Sequence, residues 1–531
     1  MRLTESLWLA DDAGEIVEQT PGQALRAAAE DAPEAVALVD GNADGPDRRR
    51  WTFAELNHLA EATAARLLGL FEPGDRVALW ASSVPEWEIL QFGASLAGLT
   101  LVTVNPGYTP HELEFVLNQS GAAGLIYEPG YRGIDQTAKL AEIQDRLVSV
   151  EHIVELPNFD FSPPESMPEL PEVDPSGPAM ILHTSGTTGK PKGALLSHMG
   201  VVNNARYFSQ RLAKSAGPVW VNPLPMFHIG GCGFGALGAL ALRAAHVLVN
   251  FDPGHVLRII EEEQAAFFPV VPTMAVALME HPDFPSTDVS SIDVLASGGT
   301  TVPTELIRRM VDAFGAQFGN VYGQTENSGV ICASNVNDAI EDKSARVGRP
   351  LARTDVKIVD VTDGTVVPCN IDGEICVRSP GAMLGYFKND EQTAETLKDG
   401  WVHTGDLGQM DERGFVAVTG RLRDIIISGG ENIYAREIED VLMENENVGE
   451  AAVLGLPDPY WGEKVAAVIR PAAGRSTTAD ELTQTLESKL ARYKVPKSWF
   501  VLDAMPVTAS GKIQKFALQE GCLNGEIKSL D

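Results

Sequence analysis

The chain has 531 residues, 44% hydrophobic and 21% charged, which is more than one hydrophobic core organises and predicts a globular protein of two or more domains. Its formal net charge of −32 argues against nucleic-acid or acidic-membrane partners, so a site for an anionic nucleotide must be locally basic. No apolar run reaches membrane-span length, no basic-then-apolar leader opens the chain, and the five cysteines show no C-x-x-C pairing; a cytoplasmic protein without a zinc or disulfide framework is expected.

Residues 1–50 read as an irregular lead-in with one helix near Gly22 to Glu30. Thr52-Phe53-Ala54-Glu55 is a capping box opening a helix to about Leu68. A strand from Arg76 to Ala81, a helix from Pro85 to Ala97 and a strand from Thr100 to Val104 form a βαβ unit, which implies a parallel sheet covered by helices. Thr109-Pro110-His111-Glu112 is a second capping box, with proline at the first helical position. The Pro-, Glu- and Asp-rich stretch from Pro157 to Pro178 reads as a surface connection.

Next comes Thr184-Ser185-Gly186-Thr187-Thr188-Gly189-Lys190-Pro191-Lys192-Gly193, set between the apolar runs Ala179–Leu182 and Ala194–Leu196. Glycines let backbone N–H groups approach an anion, while hydroxyls and ammonium groups add charge-assisted hydrogen bonds; a polyphosphate is the fitting guest. It is not the P-loop pattern, because Thr184 replaces the first glycine and Pro191 the Ser/Thr.

Asn203 to Leu212 is predicted helical, and Pro223-Leu224-Pro225-Met226-Phe227-His228 ends a strand. Gly230, Gly231, Gly233, Gly235 and Gly238 then mark a small-residue helix, suited equally to tight packing or to close approach of a ligand. Asp293 to Ser297 is a strand running into Gly298-Gly299, and Asn320 to Glu326 is another strand-to-loop junction. From Ala345 short alternating strands (Val356–Val359, Gly373–Val377, Phe415–Thr419) suggest a β-rich subdomain. The last hundred or so residues read as a small α+β unit: helix Ala435–Glu444, strands Glu450–Gly455 and Val465–Ile469, helix Ala479–Leu490.

Three further constellations carry chemistry. Tyr322-Gly323-Gln324-Thr325-Glu326 joins an aromatic face to a hydroxyl and a carboxylate, a set suited to a purine, a phosphate and a hard cation such as Mg²⁺. His403-Thr404-Gly405-Asp406 offers a carboxylate on a turn, which can accept two hydroxyl donors. Pro506-Val507-Thr508-Ala509-Ser510-Gly511-Lys512 presents a lysine on a Ser-Gly turn, able to reach a cleft as a compact charge.

In this order and spacing, from about Thr52 to Lys515, these motifs resemble those of the AMP-forming adenylate synthetases: acyl-CoA synthetases, peptide-synthetase adenylation domains and luciferases. The resemblance implies an α/β fold. A large N-terminal domain of βα sheets with a β-rich subdomain (1–422) would precede a small mobile α+β domain (423–531) carrying the catalytic lysine. It implies ATP, Mg²⁺ and coenzyme A as cofactors. Thr184, Ser185, Gly186, Thr187, Thr188, Gly189, Lys190 and Lys192 would meet the phosphates, with Thr184 taking part in catalysis. Ser297, Gly298, Gly299 and Tyr322 would meet the adenine side, Gly323 and Gln324 would bind the nucleotide beside them, Thr325 would meet phosphate, Glu326 the metal, and Asp406 and Arg421 the ribose. Lys512 would bridge carboxylate and α-phosphate, and Gly429 and Gly430 would enter for the thiol step.

His228 resembles the family's aromatic gate between acyl pocket and thiol tunnel. Glycines at 230, 231 and 233 would leave room for an acyl group, while Val321 would shorten the pocket floor. No Asp or Lys stands there to pair an amino acid's charges, so a fatty, aryl or alicyclic acid is expected. The partners are then the acid, ATP and coenzyme A, with a homodimer compatible. A coenzyme A ligase leads because no carrier domain follows; an adenylation enzyme serving a separate carrier, or a luciferase-like enzyme, is the alternative, and a non-catalytic nucleotide sensor is third.

Overall fold

The structure, a computed structural model, describes residues 2–10, 14–184, 191–214, 216–299, 302, 304–428, 431–507 and 513–530. Among them the longer strands gather into four sheets. The first runs Gly385–Tyr386, Lys192–Ser197, Pro178–Thr184, Thr100–Val104, Arg76–Trp80, Gly124–Tyr127 and His152–Glu155. The second, of nine strands, has Gln317–Gln324 beside Val294–Gly298 in one half and Ala245–Leu248 beside Val36–Asp40 in the other. Parallel pairing dominates the middle of both, as the βαβ pattern predicts.

Helix Pro85–Leu96 is apolar around most of its circumference, and eleven of its residues are buried. A helix of that kind needs cover on every side. It has it: Trp87 and Phe92 share one core with Leu79, Leu101 and Met180 of the first sheet and with Leu38 and Leu248 of the second. The outer faces are closed by ordinary amphipathic helices. Val256, Ile260, Leu278, Ile307 and Met310 cover the second sheet, and Leu113, Val116 and Leu117 the first.

A third, antiparallel sheet is the expected β-rich unit, with Asp355–Val359, Gly373–Arg378, Trp401–Met410 and Val416–Arg421 paired in turn. The fourth lies in the C-terminal segment, around the hairpin Val448–Asp458 and Gly462–Pro471, with its own apolar clusters. A large α/β N-terminal domain and a small C-terminal one are thus both present.

Both predicted capping boxes form: Thr52 and Glu55 close one reciprocally, Thr109 and Glu112 the other. Several expectations need correction. The helix foreseen from Asn203 begins at His198, because the Ser197 side chain accepts from Gly200 N–H and caps it earlier. The small-residue helix is a π-helix over Gly230–Leu237. The C-terminal strands are much longer than foreseen and the helix from Ala479 stops at Glu487. The lead-in is not irregular throughout: Leu7–Trp8 adds an edge to the β-rich sheet, and Val36–Asp40 and Arg50–Thr52 extend the nine-stranded one.

Candidate active site

Thr184 ends one strand and Lys192 begins the next, and the two residues pair across the hairpin that frames the phosphate-loop sequence. Ser185, Gly186, Thr187, Thr188, Gly189 and Lys190 themselves lie outside the described residues, as do Gly429, Gly430 and Lys512. Thr184 Oγ1 stands 3.5 Å from Glu326 Oε1, and the same carboxylate oxygen accepts the Tyr386 hydroxyl at 2.8 Å. Lys192 Nζ sits 5.3 Å from the Tyr386 ring centroid and donates to Gln392. A cation, an aromatic face, a hydroxyl and a carboxylate therefore converge from three separated stretches of chain: this hairpin, the turn at Glu326 and the strand at Tyr386. Burial first, then the Glu326 charge, push the Tyr386 phenol far up, so it remains a donor.

The second group joins the nine-stranded sheet to the β-rich one. Tyr322 donates its hydroxyl to Asp406 Oδ2 at 2.9 Å, and Arg421 Nε meets Asp406 Oδ1 at 3.1 Å. Asp406 and Arg421 are cross-strand partners, which explains how residues fifteen positions apart in sequence share one site. Tyr322 is buried, its phenol held up by burial first and the Asp406 charge second. Ile331, Val356 and Ile375 belong to the same core cluster as this residue.

The adenine-side loop is shaped by close backbone approach. A Cβ at Gly298 would lie 2.3 Å from the Val321 carbonyl oxygen, and one at Gly323 only 1.8 Å from that of Gly329, so both positions need glycine. Gly299 adopts φ +81°. The buried Ser297 Oγ and Gln324 Nε2 have no hydrogen-bond partner among the described residues, and Thr325 beside them is buried too. Orphaned polar atoms of this kind fit a polar ligand such as a nucleotide. Around Glu326, oxygen donors suit Mg²⁺.

His228 is exposed, and its Nδ1 accepts from Gly230 N–H at 3.1 Å. The turn leading to it is held by a buried relay that the sequence did not disclose. Asn222 Oδ1 accepts from Leu224 N–H at 3.0 Å, so its Nδ2 must be the group facing His246 Nε2 at 2.9 Å. His246 then carries its proton on Nδ1, 2.6 Å from the Glu88 carboxylate.

The glycines expected to open an acyl pocket divide. A Cβ on Gly231 would strike the Pro225 carbonyl oxygen at 2.2 Å, and one on Gly235 would strike Asn222 Nδ2 at 2.0 Å. Those two serve helix packing, and the expectation of room at Gly231 is corrected. At Gly230 the nearest atoms to a Cβ would be His228 Nδ1 at 3.2 Å and Leu224 Cδ1 at 3.4 Å, whereas at Gly233 a Cβ would press on Ile229 Cδ1 at 2.7 Å, so the expectation of room holds best at Gly230. Val321 lays its Cγ2 against Gly298.

Sequence reasoning also missed Tyr386 and Glu374. A single aromatic after Gly385 carries no local signal, and its role appears only when Tyr386 pairs with Ala194 in the sheet.

Comparison with known proteins identifies the family. Residues 25–387 match the AMP-binding enzyme family and residues 437–512 the AMP-binding enzyme C-terminal domain. The chain belongs to the AMP-binding enzyme family, the AMP-forming adenylate-forming enzymes. It is 36% identical over 540 residues to YngI of Bacillus subtilis (strain 168), which bears an acyl-CoA synthetase name, covering 95% of this chain and 97% of the relative. To the mitochondrial medium-chain acyl-CoA ligase ACSF2 of Rattus norvegicus it is 34% identical, covering 95% and 88%. The solved o-succinylbenzoate CoA synthetase of Bacillus subtilis, in complex with its acyl-adenylate, superposes with a TM-score of 0.82 at 29% identity, covering 95% of this chain and 98% of that one.

Proposed function

We propose that the chain activates a hydrophobic carboxylic acid of medium chain length, with the site residues acting as follows. The enzyme is an AMP-forming acid–thiol ligase: the acid attacks the α-phosphate of ATP to give acyl-AMP and pyrophosphate, and the thiol of coenzyme A then displaces AMP. The observation that carries the reading is the convergence of Thr184, Lys192 and Glu326 at one end and Tyr322, Asp406 and Arg421 at the other. Similarity to a medium-chain ligase supports the acid class.

Tyr322 and the Ser297-Gly298-Gly299 loop flank the adenine, and Asp406 with Arg421 takes the ribose hydroxyls. Residues 184–192 receive the phosphates. Glu326, oriented by Tyr386, would hold Mg²⁺, which when bound would neutralise phosphate charge. Lys512 places its ammonium between carboxylate and α-phosphate as negative charge gathers there. No nucleophile from the protein is required; positioning and electrostatics suffice. His228 gates the acyl pocket, and the glycine at 230 leaves it space. Residues 1–422 and 423–531 form the two units, pivoting at Arg423-Asp424, so that Gly429 and Gly430 replace Lys512 for the thiol step. No described helix is long and apolar enough to cross a membrane. The five cysteines are free, as suits a reducing compartment such as the cytoplasm.

AMP release measured with coenzyme A over acids from acetate to palmitate, with aryl and alicyclic members, tests the reading. Highest kcat/KM near six to twelve carbons (roughly the medium range) is expected, and activity confined to aryl acids would replace it.

A further inference from the structure

The strand Trp401–Met410 does not pair evenly with Gly373–Arg378. Cys376 faces His403 and Glu374 faces Leu407, so Thr404, Gly405 and Asp406 stand opposite Ile375 alone. This is a β-bulge, and bulges re-aim a side chain near functional sites. Gly405 takes φ +68° to make it. The Glu374 carboxylate spans the bulge from below. One oxygen accepts from Gly405 N–H at 3.1 Å and the other from His403 Nδ1–H at 2.7 Å. Thr404 completes the clamp, donating to the Ile375 carbonyl at 2.7 Å and accepting from Asp406 N–H at 3.1 Å. Glu374 is only 9% exposed, which keeps water from competing for these bonds.

The bulge ends on Asp406, whose two oxygens meet Tyr322 and Arg421. We infer that Glu374 is a positioning residue for nucleotide recognition: by pinning both ends of the Thr404-Gly405 bulge it aims the Asp406 carboxylate at the ribose hydroxyls. The inference rests on the ribose assignment of Asp406 above. Ligand-capable atoms of Glu374, Cys376 and His403 lie within 4.8 Å of one another, yet the hydrogen bonds already engage the imidazole nitrogen. Burial pushes the Cys376 thiol up to about 12, leaving it a neutral neighbour 3.5 Å from His403 Nδ1.

A general packing role and an aiming role separate by ribose discrimination. The dissociation constants of ATP, 2′-deoxy-ATP and 3′-deoxy-ATP, each with Mg²⁺, are measured calorimetrically for the native enzyme and for Glu374→Ala, Glu374→Asp and Glu374→Gln, beside melting curves. The native enzyme should prefer ATP by about tenfold or more, the scale of a hydrogen bond to a charged group. Glu374→Ala should bring that ratio to within about twofold of unity. Glu374→Asp, which keeps the charge but withdraws the carboxylate by one methylene, should behave the same way and covers the case where the alanine variant does not fold. Glu374→Gln should restore discrimination, because its oxygen can accept from Gly405 while its amide donates to His403 in the other tautomer. A ratio preserved in folded Glu374→Asp, whatever its melting temperature, overturns the inference. A native enzyme indifferent to both deoxy analogues overturns the ribose assignment itself, and the inference with it.

Discussion

The phenol of Tyr386 donates to Glu326 at 2.8 Å, joining a two-residue edge strand to the turn that follows Tyr322. The bond orients one carboxylate oxygen and leaves the other available to a cation. Tyr386→Phe keeps the ring beneath Lys192 but removes that donor. The Mg²⁺ concentration giving half-maximal pyrophosphate release should rise by about tenfold, with the melting temperature little changed. An unaltered Mg²⁺ titration would show that Tyr386 does not orient the metal ligand.

Lys512→Ala should lower acyl-AMP formation by about a hundredfold or more, since an ammonium at the developing charge acts mainly on that transition state. Thioester formation from supplied acyl-AMP should remain largely intact. Equal loss in both half-reactions would refute the assignment.

Gly230 and Gly231 adjoin in sequence and differ in what surrounds them. Gly231→Ala forces a Cβ against the Pro225 carbonyl and should destabilise by roughly 1–3 kcal/mol, whereas Gly230→Ala should be near neutral. Gly230→Trp should suppress activity with long or bulky acids far more than with acetate or propionate. Uniform loss over the acid series would place Gly230 away from the acyl chain.

His198 is 1% exposed, its Nδ1 has no partner among the described residues, and burial pushes it down to about 4 while Asp174 opposes the shift. His183, next to the phosphate loop, is pushed down to about 4 by burial as well. The unfolded chain therefore binds more protons than the folded one between about pH 6.5 and 4. Stability contributed by the neutral imidazoles is complete above about pH 6.5 and lost as pH falls through this window, by up to roughly 3 kcal/mol for His198. Urea unfolding at pH 7.5 and 5.0 measures the slope, and His198→Gln should flatten it. An unchanged slope would mean that His198 titrates normally in the fold.

Asp424 closes the turn Leu422–Asp424, with its carboxylate 3.6 Å from Arg423 and 3.5 Å from Lys515. Proline there would hold φ near −65° and remove a donor. Asp424→Pro should retain substantial acyl-AMP formation while thioester formation falls by about a hundredfold, a barrier change of roughly 2.7 kcal/mol. Asp424→Ala, which loses only the ion pairs, should affect the thiol step far less. Stopped-flow measurement of each half-reaction checks both variants, and unimpaired thioester formation in Asp424→Pro would refute the hinge.

Local physics was legible in the sequence. The capping boxes at Thr52 and Thr109 close within one helical turn, and the strands Arg76–Trp80 and Thr100–Val104 follow from short apolar runs. The motif residues Tyr322, Glu326, Asp406 and Arg421 were named there too, since each sits in a stretch whose chemistry is compact. What joins those stretches was not. Tyr386 reaches Glu326, Glu374 clamps Gly405, and Asn222 reads His246 only through strand pairings and helix contacts set by the whole core. Gly231 could not be told from Gly230 until the Pro225 carbonyl was placed above one and not the other. A capping box or a strand is a property of neighbouring residues, whereas a hydrogen bond between distant ones exists only after burial has brought both groups out of water together. The chain thus determined by itself which chemistry it carries; the tertiary structure decided which side chains hold that chemistry in place.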